Sequence, residues 1–166
     1  MDRPENIVQS GDLAWKESSR NGRLQFRRKS LGRASGGRKL GCSLYDVPAG
    51  GRLWPYHFHY GNEEAVYVLE GQGQVRLPEG EFDIGAGDYI ALPPGPESAH
   101  RVMAGPEGPL RCLIFSTMLE PDISGYPDSG KLGLFAGSAP GGRQDARKLT
   151  LFLQPGEGVD YWEGEP

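Results

Sequence analysis

Gly51-Arg52-Leu53-Trp54-Pro55-Tyr56-His57-Phe58-His59-Tyr60-Gly61-Asn62-Glu63-Glu64 holds two of the three histidines in this chain, and His100 is the third. On a strand, side chains at i and i+2 leave the same face about 7 Å apart along the chain, so two imidazoles can converge on one ion. A helix would need i and i+4, and Pro55 with the aromatic Tyr56, Phe58 and Tyr60 favours an extended segment instead. Glu64 opens Glu64-Ala65-Val66-Tyr67-Val68-Leu69-Glu70-Gly71, a β-rich run closed by a glycine turn, which sets its carboxylate across from the histidine pair on a neighbouring strand. Residues 87–99 read as a strand and a Pro/Gly turn that brings His100 back to the same place. The expected metal ligands are therefore His57, His59, Glu64 and His100. Glu63 has the opposite parity and is expected to be solvated or to orient a ligand from behind.

At these positions the chain resembles the cupin superfamily, whose first motif reads G-x5-H-x-H-x4-E-x6-G and whose second reads roughly G-x5-P-x-G-x2-H-x3-N. Gly51, His57, His59, Glu64 and Gly71 match the first throughout. Gly87, Pro93 and Gly95 match the second, while His100 stands two residues later than the pattern places it and Ala104 occupies the position of the terminal Asn after a similar offset. A longer turn can still deliver the histidine, because loop length is tolerated better than ligand identity. The resemblance covers residues 51–104. It implies an all-β fold, a cupin-type jelly roll or double-stranded β-helix barrel, and a homodimer. It also implies kinship with small single-domain cupins that are often filed provisionally as sugar-phosphate isomerases.

Composition agrees with that fold class. At 166 residues the chain is one domain, able to remove about 70% of its extended surface from water. With 37% hydrophobic residues, 26 glycines and 14 prolines, it suits short strands joined by tight turns. No apolar run approaches the roughly 18 residues of a membrane span, and Met1-Asp2-Arg3-Pro4-Glu5-Asn6 lacks a basic-then-apolar leader, so a cytoplasmic protein without a membrane partner is expected. Cys42 and Cys112 both lie in strand-like segments and are expected to be small buried hydrophobes rather than a disulfide.

Residues 1–20 read as an arm anchored by Trp15, and residues 21–119 as the barrel domain with flanking strands at 24–30 and 39–47. Residues 120–166 are rich in glycine and proline and read as a loop-rich extension packed on the barrel, with one strand at 148–153. Within it, Tyr126-Pro127-Asp128-Ser129-Gly130-Lys131 could supply polar groups at the barrel mouth or form a plain turn. Tyr161 and Trp162 in the acidic tail suggest docking. Residues 64–69 are apolar at both parities beyond the first, so the strand wants cover on both sides, which a second subunit could provide.

Residues 20–39 hold eight of the 18 Lys and Arg and no acid, in a chain of net charge -4. Nucleic acid is nevertheless not expected as a partner, because no helix-turn-helix or zinc-finger spacing occurs and aromatics are not interleaved with the basic residues. A solvated strand face is the simpler reading, with the variant that the tail bearing Glu157, Asp160, Glu163 and Glu165 lies against it.

Three imidazoles and a carboxylate suit one divalent transition metal ion: Mn, Fe, Co, Ni or Zn. Four protein ligands on an octahedral ion leave two positions for a small oxygenated ligand, which the ion would polarise. Tyr56, Tyr67, Gln74 and Arg76 are the candidate catalytic neighbours for handling protons or anions; Gln74 and Arg76 alternate with Val75 and Leu77 and could face either the cavity or solvent. The expected function is that of a metal-dependent enzyme on a sugar phosphate or organic acid, isomerase-like. An Fe-dependent dioxygenase and a non-catalytic small-molecule binder or sensor stand as alternatives.

Overall fold

The structure is a computed structural model and describes residues 3–22, 24–156 and 158–166. Two antiparallel layers face each other across the core. The first runs β1 (Lys16–Arg20), β2 (Leu24–Ser30), β3 (Gly41–Val47), β10 (Leu110–Ser116), β5 (Glu64–Glu70), β8 (Tyr89–Leu92) in spatial order. The second is built from β7 (Gly80–Gly85), β6 (Gln72–Leu77) and β9 (Arg101–Ala104) on one side, and β4 (Phe58–His59), β11 (Asp122–Tyr126), β12 (Lys131–Ala136) and β13 (Leu149–Leu153) on the other. Residues 51–57 stitch these halves together. Ala104 N–H donates to Gly51 O (2.9 Å), Leu53 N–H to Val102 O (3.0 Å), and His57 and His100 exchange backbone hydrogen bonds. The result is a jelly-roll barrel, and none of the described helices is long and apolar enough to cross a membrane.

Alternation along β5 fixes which side is core. Val66 and Val68 are buried, whereas Tyr67 and Leu69 are more than a third exposed, so period-two patterning holds despite the apolar run. Around the two valines pack Val47, Leu92, Val102, Leu110 and the fully buried Cys112. Cys42 is partly buried, and both thiols are free. Glycine is required at the ends of the first motif. Gly71 has φ +85, and a Cβ there would lie 2.1 Å from Pro109 O; a Cβ on Gly51 would lie 2.8 Å from Pro48 O.

Both flanks are more regular than their composition suggests. The arm forms β1, paired residue for residue with β2 from Lys16↔Arg28 to Arg20↔Leu24. Trp15 lies under two cations of β2, with Arg27 at 4.6 Å and Lys29 at 4.5 Å from its ring. The C-terminal segment, read as loop-rich, folds into three strands, and β11 pairs with β4 through Ser124↔His59. β11, β12 and β13 thus continue the sheet that begins with β4.

The basic segment is not simply a solvated face. Lys29 is buried and donates to Ser10 O (2.7 Å), Arg27 pairs with Asp46 (3.1 Å), and Arg28 turns inward toward Tyr45. Arg23 and Glu157 lie outside the described residues. Among the described residues no ion pair joins the tail to this segment. Tyr161 and Trp162 pack edge-on against each other and remain largely exposed.

Candidate metal centre

The three histidines and Glu64 meet at one end of the barrel. His57 and His59 leave the same face of the β4 segment, with rings 5.0 Å apart, and His100 packs against His57 at 4.7 Å. Glu64, the first residue of β5, reaches across with Oε2 3.7 Å from His59 Nε2 and 3.4 Å from His100 Nε2. Ligand atoms of His57, His59 and Glu64 all lie within 4.8 Å of one another, and His100 joins them through the carboxylate. The two extra residues ahead of His100 are absorbed by a 3-10 turn at Pro96–Ser98.

Each imidazole is set in one tautomer. His57 Nδ1–H donates to Pro55 O (2.8 Å) and His100 Nδ1–H to Ser98 O (2.9 Å). His59 Nδ1–H donates to Asp122 Oδ2 (2.6 Å). A carbonyl or carboxylate oxygen can only accept, so each Nδ1 carries the proton and each Nε2 keeps its lone pair for an ion. Asp122 is fully buried, and its other oxygen accepts from Gly61 N–H (2.9 Å). Neighbouring Asn62 ties the same turn to residue 119 by accepting from Leu119 N–H and donating to Leu119 O.

Electrostatics favour the ligating forms of His57 and Glu64. Desolvation, followed by the neighbouring His100 and His59, pushes His57 down to about 3, so it is neutral at pH 7. Burial works against the Glu64 carboxylate, but the three imidazoles around it, His100 foremost, outweigh it and hold the group at about 2. Desolvation likewise opposes Asp122 and is overcome by its bond to His59, leaving the acid below its ordinary value. For His59 desolvation is again the largest influence, yet Asp122 and Glu64 together raise it. The donor set, three imidazole Nε2 atoms and one carboxylate oxygen, fits a divalent transition ion.

A cavity of about 260 Å³ opens over these ligands. Its polar walls come from Arg28 and Tyr45 in the first layer, Arg101 and Tyr126 in the second, and Arg147 in the segment after β12. Tyr126 stacks on His57 (ring centroids 6.1 Å, 18°), so the Tyr126–Lys131 stretch does reach the mouth. Val66, Phe135 and Phe152 supply apolar surface.

None of the four candidate catalytic neighbours lines this cavity. Tyr56 is buried with Phe58 and Ala99 and lies under the Arg76 guanidinium at 3.9 Å. Tyr67 is on the outer face of β5 opposite Tyr89. Gln74 is exposed and donates to Asp83 Oδ1 (3.0 Å). Arg76 grips both oxygens of Asp128 (2.9 Å each), tying the β11–β12 turn to β6. The reason is parity: Tyr56 alternates with His57, Tyr67 with Val66 and Val68, and Gln74 and Arg76 with the buried Val75. Glu63 is exposed, and Asp122 orients His59 instead. Arg28 was legible in principle, since Leu24, Phe26 and Arg28 share a parity and Phe26 is core.

Comparison with known proteins places this geometry. Residues 43–116 match the family model described as "Cupin domain". An uncharacterised protein of Methanocaldococcus jannaschii is 36% identical over 70 residues, covering 42% of this chain and 54% of the relative, so the chain spans about half the length of the curated relative it matches. A crystal structure of a provisionally assigned sugar phosphate isomerase from Acidithiobacillus ferrooxidans superposes with a TM-score of 0.79 at 24% identity, over 93% of this chain and 96% of that one. The flanking strands are therefore part of a shared architecture. The polyketide cyclase RemF from Streptomyces resistomycificus superposes with a TM-score of 0.57 at 26% identity, over 70% of this chain and 78% of that one. The cupin-domain match and the first of these superpositions agree: residues 43–116 resemble a cupin domain, and the chain shares the fold of the Acidithiobacillus ferrooxidans protein over almost its whole length.

Proposed function

We propose that the protein is a metal-dependent enzyme that acts on a small oxygenated metabolite, a sugar phosphate or an organic acid, in an isomerase-like reaction. The observation that carries this reading is the common state of the three histidines: every Nδ1 is spent on a fixed acceptor, and every Nε2 is left free beside Glu64 under a cavity. His57, His59, Glu64 and His100 would hold one divalent ion, Mn, Fe, Co, Ni or Zn. Such an ion supplies Lewis acidity toward a hydroxy-carbonyl or carboxylate oxygen.

The chain's own residues supply the rest. Burial keeps the Tyr45 and Tyr126 phenols protonated well above neutral pH, so both enter the cavity as hydrogen-bond donors and proton carriers. Arg28 and Arg147 lie on the cavity wall and suit an anionic oxygen of the bound molecule. The apolar side chains exclude water from the reacting atoms. On the outside, Tyr67 and Tyr89 face each other across β5 and β8 and are exposed, which supports a homodimer built on that sheet.

The test is elemental analysis of the purified protein, followed by assay of the loaded protein on sugar phosphates, keto acids and catechols. Turnover of a phosphorylated or acidic hydroxy-carbonyl compound that is lost in His57→Ala and Glu64→Gln supports the proposal. Saturable binding with no product would overturn it in favour of a sensor. Oxygen consumption only with iron would overturn it in favour of a dioxygenase.

A further inference from the structure

Beside the metal cavity lies a second chamber of about 350 Å³, and the two share walls: Arg28, Tyr45, Glu64 and Ile114 line both. Gly141 and Gly142 also contribute to both, so the segment after β12 forms a strap between them. The second chamber carries three further arginines, Arg33, Arg38 and Arg143. Arg143 is already paired with Asp145. Among the described residues, Arg28, Arg33 and Arg38 take part in no ion pair. The acids of this chamber are Glu64, which belongs to the metal centre, and Glu120. The balance is thus three guanidinium groups outside any ion pair, of which Arg28 also faces Tyr45 and Trp54, against one carboxylate, in a protein whose overall charge is -4.

Guanidinium groups present paired N–H donors on a rigid fork, and several converging on one space suit a group with three terminal oxygens and a double charge. We infer that this chamber is a phosphate subsite, and that the substrate is a two-ended molecule: an oxygen-chelating head at the metal centre and a terminal phosphate among Arg28, Arg33 and Arg38. The substrate class of the head rests on the function proposed above; the anion site itself does not. Sequence reading attributes no ligand to the basic segment at 20–39, yet folding turns Arg28, Arg33 and Arg38 of that segment toward one cavity.

The experiment uses inorganic phosphate as the probe and the full-length, metal-free protein, so it does not depend on the metal. Cys42 lines the same chamber, whereas Cys112 is fully buried, so alkylation by iodoacetamide reports on Cys42 alone. Saturable phosphate binding is expected by calorimetry, together with slowed Cys42 alkylation. The double variant Arg33→Gln/Arg38→Gln changes only exposed side chains; it should weaken phosphate at least tenfold and abolish the protection. His57→Ala should retain phosphate affinity. The inference is overturned if phosphate does not saturate, if the double variant binds equally well, if Cys42 reacts at the same rate with and without phosphate, or if His57→Ala abolishes binding and so moves the anion to the histidines. Retained phosphate binding in a protein that takes up no metal would sink the metal reading alone.

Discussion

His57 and His100 are aimed by their own neighbours two residues away, whereas His59 is aimed by Asp122 from 63 residues downstream. The first two lean on backbone carbonyls that any sequence supplies, provided the turn around Pro55 and the turn at Pro96–Ser98 form. The third leans on side chains delivered by the β11–β12 hairpin, Asp122 at 2.6 Å and, more distantly, Ser124 Oγ at 3.1 Å from the same Nδ1. Two thirds of the imidazole set is therefore a local product of the barrel, and the remaining third is hostage to the C-terminal hairpin. Substitutions can reach only the long-range half of this contrast, and the contrast predicts how steeply their effects decline with distance from His59.

Asp122→Ala should have the largest effect. It removes the charged, closer acceptor of His59 Nδ1, leaving only Ser124 Oγ at 3.1 Å, and leaves Gly61 N–H without its partner. Loss of such an orienting acid typically costs about 10–100-fold in metal affinity. Leaving a buried donor unsatisfied costs about 1–3 kcal/mol. Metal titration and thermal melts on one preparation measure both. Asp122→Asn keeps an acceptor oxygen and should lose less of each. Equal metal affinity in wild type and Asp122→Ala would mean that His59 needs no remote support, and the contrast would fail.

The two modes of support also predict opposite pH limbs in the metal-free protein. His57 is pushed down to about 3 from an ordinary 6.5, chiefly by desolvation, so below 6.5 the unfolded chain takes up a proton that the folded chain refuses. Stability should therefore fall as pH drops from 6.5 toward 3. Glu64, held at about 2 against an ordinary 4.5, adds to the loss once pH passes below 4.5. His59 is raised, so its contribution is complete below 6.5 and disappears as pH climbs through its folded value. Melting temperatures from pH 4 to 9 should be flatter on the acid side in His57→Gln and flatter on the alkaline side in Asp122→Ala. An acid limb unchanged in His57→Gln would remove the burial argument for that residue.

The same contrast explains what the sequence made legible. His57, His59, Glu64 and Gly71 sit within one short run, where strand period and a fixed glycine determine geometry locally. Asp122 carries no such signature. Its strand, Asp-Ile-Ser-Gly-Tyr, puts Asp122 and Ser124 on the inner parity, and polar residues followed by glycine read as loop. Their burial makes sense only once β4 is beside them. Tyr56, Tyr67, Gln74 and Arg76 lie outside the metal cavity because proximity in sequence to the motif does not set which face a side chain leaves by. Arg28 and Tyr126, on strands outside the motif, enter the cavity for the same reason.

Arg76→Ala tests how far the hairpin's influence extends. Its double contact with Asp128 ties the β11–β12 turn to β6, but Arg76 is 31% and Asp128 46% exposed, and Arg101 holds the same acid at 3.6 Å. An exposed pair is worth about 0–1 kcal/mol after solvent screening. The variant should lose no more than that, and its metal affinity should stay much closer to wild type than that of Asp122→Ala. The hairpin has other attachments: Ser124 and Gly125 pair with β4, and five residues of β12 pair with β13. If Arg76→Ala lowered metal affinity as much as Asp122→Ala, the salt bridge rather than the strand pairing would be what presents Asp122 to His59. The order of these two variants therefore decides whether the third imidazole is secured by the sheet or by its outer clasp.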